Sequence, residues 1–345
     1  MISKYFKCHL NYIFPIIVVT LITGTYHIYV IVFCSNVLTS PTYYLLYFLF
    51  FNIIFIMMMW SILLTMFIAN PPVPEDYRLT EEETNYYNES SEEEKPTVLL
   101  WIYDRRDFFL VTRTAHGFIR FCKICNQIKP DRAHHCSSCG VCVLKMDHHC
   151  PWLKNCIGFS NQKVFLLSLF YCTVYCIFFI GTTLEHFVSY WGNVEATRLL
   201  PLVVGFIIAA IVGSIIGIFF VYHLSQLCKN QTTLDALQPI YFLYRHVTFD
   251  LGVYDNICDV LGDKWILWLV PVFTTKGDGC TFKIHRKYAQ TRSAGSSRGS
   301  VRSNISHTPQ PKPSNTTKQN ITESNVVGTS RNNEIISRQL SDFTL

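Results

Sequence analysis

Charge is what this 345-residue chain has little of: 15% of its residues are Asp, Glu, Lys or Arg, against about 25% in soluble domains. The scarcity is concentrated. Residues 10–34, 43–69, 164–184 and 199–227 contain none of the four. Each run is long enough to cross a hydrocarbon core of about 30 Å at about 1.5 Å per residue. The runs also lack the alternation of a strand, which argues against a transmembrane barrel. The first run has no small-residue cleavage site and is too long for a signal-peptide core. With half of the residues apolar, the expected fold is an α-helical polytopic membrane protein with four transmembrane helices. Asp, Glu, Lys and Arg are also what an ion path would need inside the spans, so a channel or transporter is disfavoured.

Lysine and arginine orient the spans. Lys4 and Lys7 precede the first run, the turn 35–42 has neither residue, and the turn 185–198 has only Arg198. The segments 70–163 and 228–345 hold the other 26. Both termini and the central loop are expected in the cytosol. The net charge of +5 then reads as topology and as attraction to the lipid bilayer's anionic headgroups, with no nucleic acid as partner.

Along the chain, residues 1–9 read as a cytosolic N-terminus and 70–121 as a cytosolic linker, prolines first and then acidic through Glu81–Glu83 and Glu92–Glu94. Residues 122–165 are a Cys/His-rich module, too short for a core of its own and so expected to be held by metal. Residues 228–287 mix apolar and polar types and are expected to pack on the cytosolic end of the bundle. Residues 288–345, rich in Ser, Thr and Asn, read as a disordered tail. The paired cysteines are the only repetition expected.

Cytosolic placement decides the chemistry of the cysteines. Seven of the 14 lie between Cys122 and Cys156. Reducing conditions disfavour disulfides, which leaves metal ligation or thiol chemistry. The spacing is Cys122-x2-Cys125, His135-Cys136, Cys139, Cys142, Asp147-His148-His149-Cys150 and Cys156. Six cysteines with His135 and His149 make eight ligands, two full Cys3His sites, and leave Cys150 free. The spacing alone leaves open that all nine residues crowd round zinc. A free Cys150 has suitable neighbours. An isolated thiol, pKa about 8.5, is only about 3% thiolate at pH 7. His148 can take its proton and Asp147 can orient that imidazole.

The segment 122–165 resembles the Asp-His-His-Cys palmitoyltransferases, matching C-x2-C-x9-HC-x2-C-x2-C-x4-DHHC-x5-C-x4-N-x3-F through Asn161 and Phe165. Lys129-Pro130-Asp131-Arg132-Ala133-His134-His135-Cys136, and Pro151-Trp152, resemble the animal Golgi and plasma-membrane branch. Thr232-Thr233-Leu234-Asp235 is similar to the family's Thr-Thr-x-Glu motif, with Asp for Glu; Asn256 and Gly277-Asp278-Gly279-Cys280 with Phe282 are similar to its C-terminal motifs.

The resemblance implies two structural zinc ions, one on Cys122, Cys125, His135 and Cys142, the other on Cys136, Cys139, His149 and Cys156. It implies an S-acyltransferase that moves a fatty acyl group from palmitoyl-CoA, through an acyl-Cys150 intermediate, to cysteines of acceptor proteins at the cytosolic membrane face. His148 and Asp147 would be its other catalytic residues, and the Golgi membrane its expected location, the plasma membrane the second. Arg120, Lys129 and Arg132, with His134, are the cations nearest in sequence for the CoA phosphates. Thr25 and Tyr175 would bound the end of an acyl pocket. The rival reading is a membrane-docking zinc module without catalysis. Cys172 and Cys176 read as apolar filler, and His27 and His223 as internally hydrogen-bonded helix residues.

Overall fold

The computed structural model describes residues 2–190 and 199–286; the tail expected at 288–345 lies outside them. The first apolar run forms α1 (Ile2–His27), continued by a π-helical segment, Ile28–Val37. There the Ser35 hydroxyl donates to the Val30 carbonyl five residues back, in step with the wider ladder. After a short turn comes α2 (Pro41–Phe67), with proline in its first turn, where the missing N–H costs nothing. The loop that follows carries α3 (Glu81–Glu89), α4 (Lys95–Asp104) and β1 (Thr112–Arg113). Six short strands build the Cys/His module: β2 (Phe121–Cys122), β3 (Gln127–Ile128), β4 (His134–Cys136), β5 (Val141–Val143), β6 (His148–Cys150) and β7 (Asn155–Ile157). Next are α5 (Gln162–Tyr190), α6 (Leu200–Cys228), α7 (Thr233–Leu237), β8 (Tyr241–Phe242), β9 (Val247–Thr248), α8 (Val253–Leu261) and β10 (His285–Arg286).

Among the described residues, four segments are long and apolar enough to span a bilayer: Tyr12–Val37, Pro41–Phe67, Gln162–Val188 and Leu200–Cys228. This is a multi-pass membrane protein with a Cys/His module between its second and third spans. Ile211, Ile215, Ile218 and Val221 keep one face of α6 exposed, as lipid contact requires. The centre of the bundle is aromatic. Tyr29 stacks on Phe51 with centroids 3.7 Å apart, and Tyr175 and Phe179 close round them. Helices α5 and α6 meet closely at Gly213, where a Cβ would lie 2.6 Å from that of Cys176. Cys176 is buried in this core, as a small apolar filler should be. Hydrogen bonds pin two polar pairs there: Thr25 to Tyr175 at 3.1 Å, and Tyr29 to Thr182 at 2.9 Å.

The acidic stretch of the loop is more than a solvated linker. Thr80 and Glu83 form a capping box at the start of α3, and Glu81–Glu83 lie in its first turn, where the helix dipole favours negative charge. The same stretch buries Tyr77, Leu79 and Tyr87 with Val98, Leu99 and Ile102 of α4, in a core that runs on to Cys122, Ile128 and Cys142. The charge run concealed this, because the apolar partners are spread thinly through it.

Two asparagines fasten the module to the bundle. Asn155 donates to the carbonyls of Thr65 and Ile68 at 2.9 and 2.8 Å, satisfying the open end of α2. Asn161 donates to Cys156 O and accepts from Gly158 N, both at 2.9 Å, just before α5. The apolar core of the bundle consequently continues into the module through Cys150, Leu153 and Ile157.

Candidate active site

The module is three hairpins laid out at a step of 14 residues. Strands β2–β3, β4–β5 and β6–β7 pair antiparallel, with Phe121 opposite Ile128, His135 opposite Cys142 and His149 opposite Cys156. Each turn carries one residue with positive φ at the same place: Asn126 (52°), Gly140 (73°) and Lys154 (51°). The sequence follows suit, with Cys122, Cys136 and Cys150 in register. Cys122 and Cys136 each have a second cysteine three residues on; Cys150 has Leu153 there. No repeat beyond the paired cysteines was expected, because the outer hairpins each lack half of the ligand pattern. The third hairpin is a knuckle without its second sulfur.

This register sorts the ligands. The turn of the first hairpin supplies Cys122 and Cys125, and the facing pair of the second supplies His135 and Cys142. The turn of the second supplies Cys136 and Cys139, and the facing pair of the third supplies His149 and Cys156. Within each group the ligand atoms lie within 4.8 Å of one another. His135 Nδ1 is 3.3–4.0 Å from the three sulfurs of its group. His149 Nδ1 is 3.5–3.6 Å from its three, and Cys139 Sγ is 3.4 Å from Cys156 Sγ. A tetrahedron with Zn–S of about 2.3 Å and Zn–N of about 2.0 Å has edges of about 3.5–3.8 Å. The donor sets are thus of the right chemistry and size for a metal ion each, and Cys150 is in neither.

Strand alternation puts His148 and Cys150 on the opposite face of β6 from His149. His148 Nδ1 donates to Asp147 Oδ2 at 2.6 Å. The carboxylate accepts further from Thr233, N–H to Oδ1 and hydroxyl to Oδ2, both at 2.8 Å. Burial opposes its charge, but the bond from His148, the nearby imidazoles and the Thr233 N–H outweigh it and hold Asp147 below the usual range. For His148, burial again opposes the charge, yet hydrogen bonds to Asp147 and Cys150 raise its pKa to about 9. Thr233, Asp147 and His148 therefore form one hydrogen-bonded line, with Cys150 two residues along the same face of β6 and only 6% exposed.

The Thr-Thr-x-Asp motif does two jobs. Thr233 reaches Asp147, while Thr232 and Asp235 cap α7 with a capping box. Asp235 also pairs with Arg132, whose Nε and Nη2 donate to it at 2.9 and 2.6 Å. The guanidinium lies between the rings of Phe249 and Phe282 and donates to Asn230 as well. The shorter carboxylate thus keeps a full set of partners. Because both charges are buried, Asp235→Ala should cost about 3–5 kcal/mol through the stranded arginine. A melting curve should fall sharply for Asp235→Ala and little for Asp235→Glu; an unchanged Asp235→Ala midpoint would refute the pairing. Asn256 is a tie and not an ordinary helix cap. It donates to Cys228 O at 2.8 Å and accepts from Leu251 N at 2.9 Å, joining the end of α6 to the start of α8.

Arg120, Lys129, Arg132 and His134 all line one cavity of about 310 Å³, with Arg113 and Tyr241. The donors of Arg132 are committed to Asp235 and Asn230, so its charge is balanced in the wall. Arg120 donates to the carbonyls of Pro130 and Ala133. Burial, then Arg120, push His134 down to about 4. Among the described residues, no carboxylate lies within ion-pair distance of Lys129.

One expectation fails. His27 is exposed on the bundle, and His223 is no self-contained core histidine. Its Nδ1 lies 3.9 Å from Asp147 Oδ2, and its Nε2 is buried without a hydrogen-bond partner. A lone histidine in an apolar helix gives no sequence signal of that contact.

Residues 115–240 match the family model described as DHHC palmitoyltransferase. The chain is 42% identical to palmitoyltransferase ZDHHC2 of Danio rerio over 183 residues, covering 51% of this chain and 50% of that one. It is 44% identical to ZDHHC2 of Mus musculus over 184 residues (51% and 50%) and to ZDHHC15 of Homo sapiens over 177 (50% and 52%). It spans about half the length of the curated relatives that it matches. The matched segment takes in the three hairpins, α5, α6 and the Thr-Thr-x-Asp motif, and with them His148, His223 and Thr233, the side chains that meet Asp147.

Proposed function

We propose that this protein is a membrane S-acyltransferase, a protein-cysteine palmitoyltransferase that uses Cys150 as its nucleophile. The observation that carries the reading is a cysteine outside both metal groups, on the same face of β6 as His148 and set in the apolar core of the bundle. Cys150 Sγ attacks the thioester carbonyl of a fatty acyl-CoA while its proton passes to His148. The CoA thiolate leaves and takes that proton, giving acyl-Cys150 and free CoA. An acceptor protein's cysteine then attacks, His148 receives its proton, and Cys150 departs as the thiolate. Asp147 orients His148 in both steps.

The two Cys3His groups would hold zinc, which when bound fixes the hairpins and offers no open coordination position. Burying a sixteen-carbon chain is worth about 12 kcal/mol at about 0.8 kcal/mol per CH2, which favours keeping the tail among the helices. The hydrogen-bonded Thr25 and Tyr175 would close that space at its far end. The CoA phosphates would enter the basic cavity, met first by Lys129. The lysine and arginine bias supports a cytosolic module and termini, and the Golgi membrane is the proposed location.

Purified protein incubated with labelled palmitoyl-CoA should acquire a hydroxylamine-labile label, and Cys150→Ser should acquire none. Absence of label on the wild type would favour a docking module without catalysis.

A further inference from the structure

Three elements converge on Asp147. His148 comes from its own hairpin, Thr233 from the start of α7, and His223 from α6 within the membrane-spanning bundle. His223 is 7% exposed, and its ring is held edge-on by Phe219 at 4.4 Å and Phe165 at 5.1 Å. It lies 5.7 Å from the His148 ring, so two imidazoles face one carboxylate oxygen. At 3.9 Å the Nδ1 contact is an electrostatic one, longer than a direct hydrogen bond.

A histidine kept only to fill space would be a poor choice here. Its Nε2 is buried with no partner, and so is Gln162 Oε1. Both residues, with Asp147, line a small cavity of about 10 Å³, on the order of one water. A buried polar atom without a partner is costly, and such atoms are retained where the group has work to do. Leucine would fill the same space without that cost.

We propose that His223 is a positioning residue of the acyl-transfer site. It braces Asp147 from the membrane side, so that the carboxylate stays aimed at His148 while His148 gains and loses the thiol proton. This rests on the S-acyltransferase reading above. His223 does not line the basic cavity, so its loss should slow the chemistry without weakening the hold on the acyl donor.

The test uses the full chain in detergent with labelled palmitoyl-CoA. It measures the maximal rate of acyl-enzyme formation, the half-saturating donor concentration and the zinc content of wild type, His223→Leu and His223→Gln. His223→Leu should lower the maximal rate about 10- to 100-fold, as a misplaced catalytic group does. His223→Gln, which restores an N–H donor, should be several-fold faster than His223→Leu. Both should keep the half-saturating concentration and the two zinc ions. A leucine variant as fast as the glutamine one would make the ring mere packing. An altered half-saturating concentration at unchanged maximal rate would make it a donor contact. A third zinc ion on the wild type that His223→Gln loses would make it a metal ligand, and loss of zinc from both variants would make it structural. Each of these results overturns the proposal. An unlabelled wild type would instead sink the acyltransferase reading itself.

Discussion

His148→Ala should slow acyl transfer about 10²–10⁴-fold, the range for removing a general base, while both zinc ions and the folded module remain. His149→Ala, one residue along, should fail differently: it should lose zinc and stability. The two rings are adjacent in sequence and opposite in space. Strand β6 turns His149 toward Cys136, Cys139 and Cys156, and turns His148 toward Asp147 and Cys150. Raising the pH should recover part of the loss in His148→Ala, because a larger fraction of thiol then ionises unaided. It should recover nothing in His149→Ala. Zinc content and single-turnover labelling, measured across pH, check both. If His148→Ala lost zinc and His149→Ala kept two ions, the roles would be the reverse of those assigned here.

The second large effect concerns the metal. Two zinc ions per chain are expected, and Cys150→Ser should retain both, because Cys150 belongs to neither group. Cys136→Ser should collapse the module. Its hairpins are two or three residues per strand, too short to hold without ligands, and structural zinc in small modules contributes about 10–16 kcal/mol. Chelation should do the same to the wild type. Elemental analysis with limited proteolysis measures both. One ion in the wild type, or one lost in Cys150→Ser, would mean that Cys150 is a ligand.

Much of this was legible in the sequence because the signals are chemical and local. Uncharged runs declare membrane helices whatever their neighbours do. The eight Cys and His residues of the two metal groups fall within 35 residues, so spacing alone limits how they can be shared. The 14-residue step would have separated Cys150 from the ligands, since Leu153 stands where a second knuckle cysteine should. It was obscured by Phe121 and Ile128, which replace the ligand pair in the first hairpin. Contacts between distant segments were beyond reach. Nothing near Asp147 announces Thr233 or His223, and nothing near Arg132 announces Asp235. Such partners are fixed by how α6 and α7 meet the module, which depends on packing across the whole bundle. The acidic loop misled for the opposite reason: its charges are conspicuous, whereas Tyr77 and Tyr87, which tie it down, are scattered.

The contact between Thr233 and Asp147 sets an order of events for a newly made chain. The ribosome completes the hairpins carrying Asp147, His148 and Cys150 long before residue 233 emerges. Until then the carboxylate lacks the two donors that hold it, and His148 lacks a fixed aim. The thiol should stay unassisted until the fourth span is in the membrane and α7 has folded back. Half-inserted chains would then neither load themselves with acyl groups nor pass them to whatever cysteine is nearby. On the acyltransferase reading, reactivity would arrive only with the fourth span and α7.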